Sequence, residues 1–186
     1  MRLFIAINVP DRMRRDIWDC AAQLRERQYA VRWVAPEAMH ITLKFLGEVS
    51  VHREESIVAA LEQAMEGAEP FALPLEGFGA FPDARRAKVI WLGCNPPDAL
   101  KDIQESIEQS VADLGFPRES RIFHPHLTLG RLRRGAEASR LKGLAGVLDR
   151  MHFAAKLKVR SVELMQSELS PAGANYTVRE TFELAT

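Results

Sequence analysis

Cysteine is scarce in this chain: two in 186 residues, Cys20 and Cys94, far apart and in no CxxC or other metal spacing. That excludes a disulfide framework and a thiolate metal site, and leaves two buried free thiols of a reducing compartment. An excess of charge of one sign is missing too, since Lys+Arg 25 equals Asp+Glu 25. A neutral chain has no global cationic field for gripping long nucleic acid through many phosphates. A small or end-recognised phosphate substrate needs only a local one. No apolar run approaches the roughly 20 residues of a membrane span. The stretch Met1–Pro10 is too short in apolar residues for a signal peptide and has no small-residue cleavage site, so a cytoplasmic protein is expected. What is present, 47% hydrophobic and 27% charged residues, suits one globular domain or two small lobes sharing a cleft.

Hydropathy patterning orders the chain. Arg2–Asn8 alternates as a strand, with Leu3, Ile5 and Ile7 against Phe4 and Ala6. Pro10-Asp11 opens a helix to about Gln28, with Ile17, Ala21 and Leu24 on one stripe. Val31–Val34 is short and extended. A strand over Met39–Leu46 is stopped by Gly47. Ser50 is placed to N-cap a helix through Met65, with Glu54 in its first turn and Ile57, Leu61 and Ala64 inward. Phe71–Leu75 alternates again.

Histidine is scarce as well, at five, yet two histidines head the same phrase. His40-Ile41-Thr42-Leu43 recurs as His126-Leu127-Thr128-Leu129, an offset of 126 − 40 = 86. Sliding the chain by that amount carries the other elements along. Leu3–Ile7 falls on a strand at Val89–Gly93, and Pro10 on Pro96, which precedes a helix from about Asp98 to Leu114. The helix after Ser50 falls on Ala136–Leu148, and Phe71–Leu75 on Leu157–Ser161; Tyr176–Leu184 reads as an extra closing strand. The spacing therefore predicts a duplicated unit, with pseudo-repeats about 2–86 and 87–172 and a closing strand about 175–184. Two such units would pack about a pseudo-twofold axis with their tetrads facing.

Each tetrad has the period of a half-buried strand. Its aliphatics plug a core, and its His and Thr share the opposite face. Histidine titrates near neutral pH, so one imidazole can be neutral while the other is charged. One takes a proton from water and the other gives one to a departing oxygen, which serves a displacement at phosphorus. The hydroxyls of Thr42 and Thr128 can bind the non-bridging oxygens, and no metal is called for. Lys44 shares a strand face with His40 by alternation, as a phosphate-side cation or a plain surface charge. Arg131, five residues after His126, is turned away by alternation unless a bulge at Gly130 re-aims it. Its guanidinium fork suits a phosphate. Arg133 and Arg134 read as a solvated loop.

The paired tetrads, with Arg2-Leu3-Phe4-Ile5-Ala6-Ile7, Arg32-Trp33-Val34, Lys44-Phe45-Leu46-Gly47-Glu48, Pro125, Gly130-Arg131, Ser167-Glu168-Leu169-Ser170-Pro171 and Tyr176-Thr177, resemble the 2H phosphoesterase superfamily. Within it the chain is similar to the RNA 2′,3′-cyclic phosphodiesterases, also called 2′-5′ RNA ligase-like proteins. The resemblance implies an α+β fold, a bilobal duplicated unit with two antiparallel sheets flanking a central cleft and helices on the outer faces. It implies hydrolysis of RNA 2′,3′-cyclic phosphate ends, or of cyclic nucleotides, to 2′-phosphomonoesters, with no cofactor, no metal, no membrane and no obligate protein partner. Carried onto these positions, His40 is the proton donor and His126 the proton acceptor; Thr42, Thr128 and Arg131 bind substrate. Related chemistry on 2′-5′ linked RNA, as ligase or phosphodiesterase, and a non-catalytic module that binds RNA ends are the alternatives.

The remaining histidines and aromatics are read more plainly. A zinc set of His40, His124 and His126 lacks a carboxylate or thiolate at a useful spacing. His52 is expected exposed in a first helical turn, and His152 structural or solvated near a turn. Trp33, Phe45, Phe78, Phe81 and Phe123 are candidates for stacking on a base, although alternation puts Phe45 on the core side.

Overall fold

The structure, a computed structural model, describes residues 1–171 and 173–185, with the side chains of Ala138 and Ser139 left aside. Among them nine strands and five helices make an α+β fold. The strands are β1 (Arg2–Asn8), β2 (Val31–Trp33), β3 (His40–Glu48), β4 (Phe71–Phe81), β5 (Val89–Cys94), β6 (His126–Leu132), β7 (Ala154–Val159), β8 (Ser161–Ser170) and β9 (Gly173–Glu183). The helices are α1 (Asp11–Cys20), α2 (Ala22–Arg25), α3 (Glu54–Met65), α4 (Asp98–Asp113) and α5 (Leu144–Arg150).

All pairings are antiparallel, in the order β7-β4-β5-β6-β3-β1-β8-β9, with β2 also on β6. The two expected sheets are thus two halves of one sheet, β3-β1-β8-β9 and β7-β4-β5-β6 with β2 added to β6. The seam between them holds a single pair, Ile41↔Leu127. It stops there because β2 takes over the same edge of β6, pairing Trp33 with Gly130 and donating Val34 N–H to the Leu129 carbonyl at 2.8 Å.

One face of the sheet carries the main core. Leu3, Ile5 and Ile7 of β1, Ile41 and Leu43 of β3, and Leu127 and Leu129 of β6 pack there with Ile17, Leu24, Ile57, Leu61, Ile103, Ile107 and Val147 from the five helices. Removing that much apolar surface from water is the main drive to this layering. The other face has a small cluster of its own, Phe4, Ala6 and Met165 with Tyr176 against it.

Several elements depart from their sequence reading. The helix expected to reach Gln28 breaks at Ala21 into α1 and α2, and Gln28 sits at φ 57, past the last turn. Ser50 caps nothing by its side chain: its carbonyl accepts from Arg53 N–H in a 3-10 turn, and α3 begins at Glu54. The helix expected over Ala136–Leu148 is a 3-10 turn at Ala138–Leu141 and then α5, divided by Gly143 at φ +82. Leu157–Ser161 is not one strand but the end of β7 and the start of β8, which lie in opposite halves of the sheet. Strand β4 runs on past Leu75 through a register shift before Phe78, with Gly77 at φ +76.

Candidate active site

The seam pair fixes the site. Ile41 and Leu127 are both fully buried in the core, so their neighbours along each strand point to the other face. One step out in that register, His40 lies opposite Thr128 and Thr42 opposite His126. The two histidines are then diagonal neighbours, roughly 7–8 Å apart at Cα by strand geometry. Each is close enough to matter electrically, since His126 is among the charges that depress the His40 pKa.

The imidazoles are held alike. His40 Nδ1 bonds the Ala38 carbonyl at 2.8 Å, and His126 Nδ1 bonds the His124 carbonyl at 2.8 Å. A carbonyl only accepts, so each Nδ1 carries the proton, and Nε2 is left to give or take one. Each ring has an aromatic wall: Phe4 and Tyr176 both stand 4.9 Å from His40, and Phe81 stands 5.0 Å from His126. Burial pushes His40 down to about 4, helped by the charges of Arg14, Arg131 and His126. Burial also lowers His126, with His124 and Arg131 adding to it. Burial thus favours the neutral form of both rings.

Beyond the tetrads, alternation fails in both copies, and in the same place. Leu43 is an extra residue between the pairs Ile5↔Lys44 and Ala6↔Thr42. Leu129 is an extra residue between Ile90↔Gly130 and Trp91↔Thr128. Such a bulge reverses the faces of the residues that follow it directly. Lys44 therefore does not share a face with His40. It turns into the core, 7% exposed, where its ammonium donates to Glu108 Oε2 at 2.8 Å and to the Pro117 carbonyl at 2.6 Å. Phe45 turns the other way, against its expected core placement, and stands 62% exposed on the histidine face, 6.0 Å from Phe4. In the second copy Gly130 faces the core and Arg131 is re-aimed onto the histidine face, exposed.

The other candidates separate clearly. Trp33, Phe78 and Phe123 are partly buried against the main core, whereas Phe81 walls His126. Arg133 and Arg134 are exposed past the end of β6. His52 is exposed in its 3-10 turn, and exposed His152 lends its carbonyl to Cys20 Sγ at 3.6 Å. Cys20 and Cys94 are free and half-buried, with burial raising Cys94 to about 12. Among the described residues no three His, Cys, Asp or Glu side chains stand together to hold a metal, so His40, His124 and His126 form no zinc set. No described helix is long and apolar enough to cross a membrane.

Asn8 and Arg14 also stand at the site though no sequence motif marks them, and Phe4, Arg32 and Tyr176 join them from the stretches that carry the family resemblance. Asn8 pairs with His40 across β1 and β3, and Arg32 pairs with Arg131 across β2 and β6, on the same face. A signal exists for two of them: the face of β1 away from the core runs Phe4, Ala6, Asn8 and turns polar at the residue beside the histidine.

Comparison with known proteins covers nearly the whole chain. The model of the 2′-5′ RNA ligase superfamily matches residues 10–171. A Methanothermobacter thermautotrophicus protein described as RNA 2′,3′-cyclic phosphodiesterase is 34% identical over 184 residues, 99% of each chain. A crystal structure from Thermus thermophilus superimposes with a TM-score of 0.83 at 27% identity, covering 99% of this chain and 98% of that one. Escherichia coli LigT complexed with 3′-AMP gives 0.81 at 28% identity, over 100% and 98%.

Proposed function

Because the chain belongs to the 2′-5′ RNA ligase superfamily, we propose that it is an RNA 2′,3′-cyclic phosphodiesterase whose two tetrads supply one general acid and one general base. The observation that carries this reading is the single seam pair Ile41↔Leu127, which sets His40, Thr42, His126 and Thr128 around one point on one face. In this reading the terminal cyclic phosphate sits over that point. Thr42 and Thr128 donate hydroxyl hydrogen bonds to the non-bridging oxygens, and the Arg131 fork binds the same charge as it grows.

His126, neutral at Nε2, takes a proton from a water that attacks phosphorus. The bond from phosphorus to O3′ breaks, and His40 gives its Nε2 proton to O3′. The product is a 2′-phosphomonoester with a free 3′-hydroxyl. His40 acquires that proton as substrate binds, because the phosphodiester anion supplies the charge that burial denies it. Phe45, exposed on the His40 side, offers a face to the nucleobase of the terminal ribose. No step is routed through a metal.

The symmetric strand order of the two half-sheets supports the reading of the chain as a duplicated unit. The test of function is incubation of an RNA ending in a 2′,3′-cyclic phosphate with the protein in EDTA, and separation of the products. A 2′-phosphate end supports the proposal. A 3′-phosphate end, a joined 2′-5′ strand, or tight binding with no product overturns it.

A further inference from the structure

Two like imidazoles must divide two unlike tasks, and the tetrads are too similar to divide them. The asymmetry lies behind His40, on the first turn of α1. Arg14 Nη1 donates to the Glu37 carbonyl at 3.2 Å, and Nη2 donates to Asn8 Oδ1 at 3.3 Å. Glu37 adjoins Ala38, whose carbonyl holds His40 Nδ1 at 2.8 Å. Asn8 is the residue across from His40 in the β1–β3 register. One guanidinium thus ties together the turn before His40 and the strand beside it. Arg14 Nε is buried and has no hydrogen-bond partner among the described residues, so the fork is placed by these contacts at a cost.

Among the described residues the other copy has no such clamp. The position 86 residues on, Leu100, is fully buried in the core. His126 Nδ1 is held by the His124 carbonyl, and among the described residues no arginine bonds the carbonyl of Phe123, the position 86 residues after Glu37. Behind Arg14 stands Glu163 of β8, which accepts the Asn8 N–H at 3.2 Å and the Ser161 hydroxyl at 2.6 Å. This carboxyl is buried, and burial raises its pKa.

We propose that Arg14 is a positioning residue that makes His40 the proton donor of the pair, by clamping the Glu37–Ala38 turn and Asn8 around it. This rests on the acid/base reading given above. The clamp aims Nε2 at the seam, and the fixed cation makes a protonated His40 the readier of the two to release its proton as charge builds on O3′. Arg14 is also one of the charges that hold His40 low, alongside Arg131 and His126. The other groups facing His40 are Asn8 and the Phe4 ring from β1 and the Tyr176 ring from β9.

The experiment pairs turnover of a nucleoside 2′,3′-cyclic phosphate with histidine titration by NMR, in Arg14→Met and Arg14→Lys. Arg14→Met is expected to lower kcat about tenfold with KM within about twofold, and to raise the His40 titration while His126 stays put. Arg14→Lys keeps the charge without the fork; it is expected to hold the His40 titration near wild type and to recover part of kcat. Unchanged kcat and titration in Arg14→Met, or both histidines moving together, would overturn the proposal. Should Arg14→Met not fold, Asn8→Ala loosens the same clamp: a several-fold loss of kcat is expected, and wild-type kcat would count against the clamp. A wild-type protein without any turnover would instead sink the acid/base reading.

Discussion

Phe45 and Arg131 occupy the same place in the two copies of the motif. Each lies five residues past its histidine, and each is turned onto the histidine face by a bulge at the leucine of its tetrad, Leu43 or Leu129. Both are exposed. The scaffold is therefore symmetric where it places side chains and asymmetric in what it places, with a phenyl on the His40 side and a guanidinium on the His126 side. A base and a phosphate need these two different partners.

Phe45→Ala removes the exposed ring without touching the core. It is expected to raise KM for a cyclic nucleotide about tenfold, the scale of about 1–3 kcal/mol for one stacked base, with a smaller change in kcat. Phe45→Trp is expected to restore KM. Steady-state kinetics on both variants checks this, and an unchanged KM in Phe45→Ala removes Phe45 from the binding face.

Gly130 makes the Arg131 bulge fit. A Cβ built there would lie 2.5 Å from Val31 Cγ1 and 2.8 Å from Trp33 Cε3. Gly130→Ala must therefore push β2 off β6, at a cost of about 1–3 kcal/mol by the scale of overpacked sites. Activity should fall further than stability, because Arg131 follows directly. Urea unfolding and turnover measured together decide it.

The core Lys44–Glu108 pair is a structural feature with a sharp signature. Glu108 is 4% exposed and accepts from Lys44, from Gln104 Nε2 and from the Glu119 N–H. Lys44→Met leaves that carboxylate buried without its cation and is expected to cost about 3–5 kcal/mol. The double variant Lys44→Met/Glu108→Leu is expected to recover most of the loss. Neither change touches the histidine face, so activity per folded molecule should persist.

His40 makes the fold sensitive to acid. Its folded pKa, about 4, lies below the ordinary histidine value of 6.5. Below pH 6.5 the unfolded chain takes a proton that the folded chain refuses, so stability falls as pH drops from about 6.5 toward 4. The full loss approaches about 3 kcal/mol at about 1.4 kcal/mol per unit. Denaturant midpoints at pH 7 and pH 4.5 should draw apart in the wild type and less so in His40→Gln. Equal separations in the two proteins contradict this assignment.

The histidine pair is legible in the sequence because its signal is local and repeated: period two in each tetrad, and one offset for both. The strands and helices that carry the core are legible for the same reason. What escapes is what alternation cannot carry. The Leu43 bulge inverts Lys44 and Phe45, and nothing in Leu43-Lys44-Phe45 announces it; the second bulge at least has Gly130 to mark it. Strand β8 is hidden because its buried stretch Val162–Met165 includes the carboxylate of Glu163. The helix ends differ because Ser50 and Ala21 are settled by backbone contacts and not by their side chains. Arg14 is invisible as a site residue, since its partners are a carbonyl 23 residues on and an asparagine on another element.

The central claim is that His40 and His126 act as two halves of one proton-transfer device across the Ile41↔Leu127 seam. The measurement is single-turnover hydrolysis of a 2′,3′-cyclic phosphate RNA end by His40→Ala, His126→Ala and the double variant. Each single change is expected to slow the chemical step about 10²–10⁴-fold. The double variant is expected to be no slower than the worse single, because removing either half disables the whole. Losses that multiply in the double variant, or full activity in either single one, would contradict the account.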